Sequence, residues 1–144
     1  MRKLDMNVVA ALLLAVACVL PPAVQAVGEA SIPGKLVRAA HFRPDATEVD
    51  APGAAVLRMV AADYATAKPG RVIVVGYAAP DEGGLRAGAA YAQSLSERRA
   101  GSARNYLYKH GIPLSRIVVR GRGLALPAEG AESASRRSVE IHFE

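Results

Sequence analysis

The chain of 144 residues suits one modest domain once a short leader is set aside. Its 18 basic and 13 acidic side chains leave a net charge of +5, almost all of it arginine. Without an aromatic-rich basic motif that excess argues against nucleic acid as the partner. It suits an anionic cell-wall polymer or membrane surface, or simply a solvated surface.

The first 26 residues read as a secretory signal. Arg2 and Lys3 precede an apolar run over 8–20, too short to span a bilayer comfortably, and Pro21-Pro22 breaks it. Val24-Gln25-Ala26 is the small-x-small pattern of a cleavage site, so the cut is expected before Val27. Leu14-Ala15-Val16-Ala17-Cys18 also resembles a lipoprotein signal, with acylation at Cys18, and a retained anchor is the third route. After simple cleavage no cysteine remains for a disulfide or a thiolate metal site. Removing Arg2, Lys3 and Asp5 then leaves 16 basic and 12 acidic side chains, a net of +4.

Residues 27–35, with Pro33-Gly34, form a linker, and the domain proper is expected over 36–144. A strand is predicted over 36–42, then a loop over 43–52 marked by Pro44, Asp45, Asp50 and Pro52. Val56, Met59, Val60, Tyr64 and Ala67 recur at helical spacing and predict an amphipathic helix over 54–68, ended by Pro69-Gly70. Residues 71–77 (Arg-Val-Ile-Val-Val-Gly-Tyr) predict a central strand buried on both faces, reached by a right-handed crossover. A turn region over 78–84 follows the end of that strand, where α/β folds commonly bind ligands.

A long helix is predicted over 85–110, stopped by Gly111 and Pro113. Strands are expected over 115–121 and 138–143, the last alternating Val139, Ile141 and Phe143 against a wet face of Glu140 and His142, with a loop over 123–135 between them. The order β-α-β-α-β-β makes an α/β sandwich, two helices on one face of a small mixed sheet.

Within the long helix, Leu95, Arg99, Ala103 and Leu107 share one stripe. Arg99 is the odd member. Two roles stay open for it: a stem covering apolar surface with its head in water, or a guanidinium that holds a ligand. Catalytic patterns are missing. His41, His110 and His142 lack metal-ligand spacing, no Gly-x-Ser-x-Gly elbow occurs, and Arg120-Gly121-Arg122-Gly123 is no dinucleotide fingerprint. No enzyme, cofactor or metal is expected.

Val74-Val75-Gly76-Tyr77, Leu95-Ser96-Glu97-Arg98-Arg99-Ala100, Gly111-Ile112, Arg116-Ile117, Arg120-Gly121-Arg122-Gly123, Pro127 and Arg136-Arg137-Ser138-Val139-Glu140-Ile141 occur in that order. In order and spacing these words resemble the OmpA-like C-terminal domain family, which includes peptidoglycan-associated lipoproteins and flagellar stator proteins. The resemblance implies a periplasmic, envelope-associated module that binds peptidoglycan non-covalently through the diaminopimelate of the stem peptide. One acid meets its ammonium and one arginine forks its carboxylate. The arginine falls on Arg99, and a second falls on Arg136 or Arg137. Tyr77 and Asp81 complete the candidate set. The chain departs from the family at the acid: Ala78-Ala79 stand where Thr-Asp is usual, and the stretch from Gly76 to Leu95 is several residues longer. Two roles stay open for Asp81 and Glu82 on that longer loop: a replacement carboxylate, or ordinary turn residues, which Asp81 after a proline fits well. Without a replacement, the domain would keep the fold but lose the ligand, and would serve as a protein-interaction or structural part of an envelope assembly.

Overall fold

A computed structural model describes residues 32–128 and 132–144. The signal segment, Cys18, the start of the linker and Gly130 of the predicted loop lie outside the described residues. The elements are β1 (Lys35–His41), α1 (Ala51–Ala67), β2 (Val72–Gly76), α2 (Ala89–Lys109), β3 (Ile117–Gly121), α3 (Ser133–Arg136) and β4 (Ser138–Phe143). The strands form one mixed sheet in the order β1-β4-β2-β3. β4 runs antiparallel to both β1 and β2, while β2 and β3 are parallel and joined through α2. The last strand therefore slots between the first two.

Alternation along the strands sorts the sheet into two faces. Val72 and Val74 of β2 and Val139 and Ile141 of β4 meet Leu57 and Val60 of α1 and Ala100, Ala103 and Leu107 of α2. Burying each large aliphatic side chain contributes about 1.5–3 kcal/mol, so this layer is the main core. Ile73, Val75 and Tyr77 point the other way and pack with Ile32, Val118 and Ala125. β2 is thus buried at every position, as its unbroken apolar run requires.

The larger departures from the predicted elements have local reasons. α1 starts at Ala51, three residues before the predicted start, because the Asp50 carboxylate accepts the Gly53 N–H at 2.9 Å and proline is tolerated in a first turn. α2 starts at Ala89, not 85. Gly88 has φ 146°, outside helical space, and the preceding residues Gly84–Arg86 make only a short 3₁₀ turn. The loop over 123–135 ends in the single turn α3. The predicted stop of α2 is present: Gly111 has φ 101° and the Ile112 N–H donates to the Leu107 carbonyl at 3.1 Å.

β4 has no wet face. Glu140 and His142 are as buried as Val139 and Ile141, because β4 is an inner strand and the segment around Ala128 covers its far side. The alternation was sound, but the exposure inferred from it was not.

α2 crosses β2 closely at Gly76, where an added Cβ would run into the Ser96 carbonyl. Both sides of that clash are backbone. Gly76→Ala is expected to cost about 3 kcal/mol or more, or to prevent folding, as read by urea denaturation followed by circular dichroism.

Candidate functional site at the C-terminal end of β2

The Leu95–Arg99–Ala103–Leu107 stripe faces inward, and all four residues are fully buried. Arg99 reaches the end of β2 with its guanidinium inside the protein, not in water. Its Nε donates to the Ala46 carbonyl at 2.8 Å, Nη1 to the Tyr77 carbonyl at 3.1 Å, and Nη2 to the Arg43 carbonyl at 3.2 Å. The two remaining N–H groups fork the Glu82 carboxylate, Nη1 to Oε2 at 2.9 Å and Nη2 to Oε1. The Phe42 ring lies beneath, 5.3 Å from Cζ. All five guanidinium donors are engaged.

Glu82 is equally saturated. Besides the fork, Oε1 accepts the Asp45 N–H at 2.9 Å and Oε2 the Ala79 N–H at 2.7 Å. Two backbone amides and a planar cation converging on one carboxylate constitute a carboxylate receptor. The side chains of the ion pair are 0% and 1% exposed, so neither charge is screened by water.

The backbone explains why Glu82, and not Asp81, reaches Arg99. The Glu82 N–H donates to the Ala79 carbonyl at 3.2 Å, closing a turn over Ala79-Pro80-Asp81-Glu82 with proline at its second position. Pro80 and Asp81 sit at the exposed tip, and Glu82 returns inward. Asp45 locks the closed arrangement. Its Oδ1 accepts the Gly83 N–H at 2.7 Å and the Tyr91 hydroxyl at 2.9 Å, while its own backbone adopts φ 56°, a left-handed conformation that aspartate tolerates better than most residues. Asp45 had not stood out in the sequence beyond marking a loop.

The other positions singled out from the sequence are distributed around this receptor. Arg137 and Asp81 pair with each other, Nη1 to Oδ2 at 3.1 Å, on the surface. The Arg137 carbonyl accepts the Phe42 N–H, which ties that pair to the floor of the site. An open cavity of about 450 Å3 lies beside it, lined by His41, Phe42, Arg43, Glu132 and Arg137 among others. Arg136 instead braces the loop after β3, donating from Nη2 to the Leu124 carbonyl. Tyr77 gives only its carbonyl to Arg99. Its side chain is on the opposite face of the sheet, where the hydroxyl donates to Glu140 Oε2 at 3.0 Å.

Glu140 heads a second buried polar group. Oε1 accepts the Ala128 N–H at 2.6 Å, and Oε2 lies 3.3 Å from His142 Nε2. Burial by itself would raise this carboxyl. The hydrogen bonds from His142, the Ala128 amide and Tyr77 outweigh it and hold Glu140 below the usual carboxylate range. Burial, reinforced by the Glu140 charge and hydrogen bond, pushes the Tyr77 phenol up. No three His, Asp or Glu side chains converge as metal ligands would among the described residues.

The model of the OmpA family matches residues 41–140. The chain belongs to the OmpA family. Over 63 residues it is 46% identical to outer membrane protein A of Escherichia fergusonii, a match covering 44% of this chain and 24% of that protein. The corresponding protein of Yersinia pseudotuberculosis is 44% identical over the same length, covering 16% of it. The match thus takes in a quarter or less of these relatives' length. Among solved structures, the OmpA-like domain of FopA1 from Francisella tularensis superposes with a TM-score of 0.62 at 24% identity, covering 72% of this chain and 68% of that one. The peptidoglycan-associated lipoprotein of Burkholderia pseudomallei gives 0.62 at 18% identity, covering 75% and 91%. A periplasmic domain of Helicobacter pylori MotB gives 0.55 at 18%, covering 72% and 69%. These likenesses show a shared fold.

Two outcomes follow from the site. Glu82→Ala leaves the Arg99 cation buried without its counter-ion and should cost about 3–5 kcal/mol, whereas Asp81→Ala, at a surface pair, should cost about 1 kcal/mol or less. Chemical denaturation of the two variants checks the contrast. For Glu140, a folded-state value held below the ordinary 4.5 contributes stability that is complete above that value and lost as pH falls through the folded value. Stability should therefore decline below about pH 4.5, and Glu140→Gln should flatten part of that decline in a pH series of denaturation midpoints.

Proposed function

We propose that the chain is a non-catalytic cell-envelope module that associates non-covalently with peptidoglycan in the periplasm, taking a carboxylate of the stem peptide at Arg99. The observation that carries this reading is the receptor itself. A guanidinium fork and two backbone amides are assembled at the C-terminal end of β2, beside an open cavity, in a chain that lacks the family's usual acid. Glu82, from the longer loop, brings an acid to Arg99, so an arginine and an acid still stand together at this end of the sheet. The diaminopimelate end, with its carboxylate and ammonium, is the ligand that the family resemblance implies. At the rim, exposed Asp81 and its partly buried partner Arg137 offer an acid and a cation for its two charges. Export by the leader is consistent with a periplasmic site of action, with Cys18 as the attachment point if the leader is processed as a lipoprotein signal.

One observation favours a second reading. Every donor of Arg99 is spent inside the protein, which suits a buried structural ion pair in a domain that has kept the fold and turned to protein interaction within an envelope assembly. Sedimentation with purified insoluble peptidoglycan separates the two. Retention of the folded protein, reduced tenfold or more by Arg99→Lys with unchanged circular dichroism, supports the peptidoglycan reading. Absence of retention of the folded wild type sinks it and leaves the interaction module.

A further inference from the structure

We propose that Glu82 is an exchangeable internal ligand: the Arg99 receptor is loaded with the protein's own carboxylate, and an external carboxylate binds by displacing it together with the loop that carries it. The inference rests on the reading of Arg99 as the carboxylate-binding group of the module. Three features of the structure support exchange over a permanent structural pair.

The first is the nature of the contacts. All four hydrogen bonds to Glu82 go to its carboxylate oxygens, from Arg99, Ala79 and Asp45, and each serves any carboxylate placed there equally well. Arg99 is independently positioned by the Ala46, Tyr77 and Arg43 carbonyls, so the fork stays aimed when Glu82 leaves.

The second is the loop. Between Pro80 and Ala90 only Glu82 is buried; Pro80, Asp81 and the whole of 84–90 are exposed, and Leu85 packs on nothing. Gly83 at φ 95°, Gly84 at φ 52° and Gly88 at φ 146° are pivots just beyond the buried acid, free of the steric limits that would hold other residues. The loop is fastened by Glu82 itself and by the Asp45 clasp to Gly83 and Tyr91.

The third is the route. The cavity of about 450 Å3 shares Phe42 and Arg43 with the walls of the Arg99 site, so a carboxylate-bearing peptide has space to lie beside the receptor before it enters.

Exchange predicts that removing the internal acid creates a vacant site of defined chemistry. Thermal unfolding of Glu82→Ala should shift upward with propionate in a saturating manner, and not with chloride at equal ionic strength, while wild type stays unmoved. Calorimetry with soluble muropeptides should give at least tenfold tighter binding to Glu82→Ala than to wild type, because the competitor is gone. Tyr91→Phe loosens the clasp without touching the receptor, and should tighten muropeptide binding about two- to fivefold. It carries the comparison if Glu82→Ala fails to fold. A folded Glu82→Ala that propionate does not stabilise overturns the proposal, as does muropeptide binding to wild type equal to or tighter than to the variants. With Tyr91→Phe as the sole folded variant, no binding to either protein overturns it too. Propionate rescue without muropeptide binding to any form leaves the exchangeable receptor standing and removes the peptidoglycan reading.

Discussion

A single buried ion pair organises the functional end of this domain. Arg99 and Glu82 have no water to share their charge with, so each must be completed by protein groups, and the completion recruits three separate stretches of chain. The carbonyls of Arg43 and Ala46 fix the loop after β1, the carbonyl of Tyr77 fixes the end of β2, and the amides of Ala79 and Asp45 fix the start of the long loop and its neighbour. A buried pair of this kind adds little net stability, because desolvation offsets most of the attraction. What it does confer is a defined local arrangement: five backbone groups held around one ion pair, three carbonyls on the guanidinium and two amides on the carboxylate.

The opposite face of the sheet repeats the logic with different groups. There Glu140 collects Tyr77, His142 and the Ala128 amide, and so anchors the segment after β3 against the inner strand β4. Tyr77 joins the two systems, through its carbonyl to Arg99 and through its hydroxyl to Glu140. The last residue before the long loop is thereby held from both sides of the sheet. This leaves the loop beyond Ala79 as the freest part of the site, resting on a rigid base.

Much of this was legible in the sequence. The Val/Ile run of β2 required burial on both faces, the four-residue stripe of α2 placed Arg99 facing the sheet, and Gly111 marked the helix end. The ordered words of the family gave the fold without any tertiary information. What stayed hidden was tertiary in origin. Glu140 and His142 alternate as a solvent face should, and nothing local reveals that their strand is inserted between two others. Arg99 was read as reaching water or a ligand, not an acid of its own chain, but that Glu82 turns inward while Asp81 does not had a signal in Pro80. A proline at the second position of a tight turn puts the next residue at the tip and turns the following one back toward the chain. The role of Asp45 had no such signal, since its hydrogen bonds reach across dozens of residues to Glu82, Gly83 and Tyr91.

A receptor that carries its own ligand changes how affinity is set. In an open site, an incoming carboxylate must desolvate both itself and the arginine, and the gain from the fork is partly cancelled. Here the arginine is already dry, and exchange replaces one forked carboxylate with another of the same charge, so the Coulomb energy nearly drops out. What remains is the cost of releasing the loop against the contacts the newcomer makes in the neighbouring cavity. Apparent affinity then falls in proportion to the fraction of molecules whose loop is released. Isolated carboxylates have nothing with which to offset that cost. A peptide that also fills the space between His41 and Arg137, and meets the Asp81 and Arg137 charges at the rim, does. Loop release therefore makes the site selective for an extended ligand by penalising every smaller one, and the freedom of the loop around Gly83, Gly84 and Gly88 becomes a specificity device.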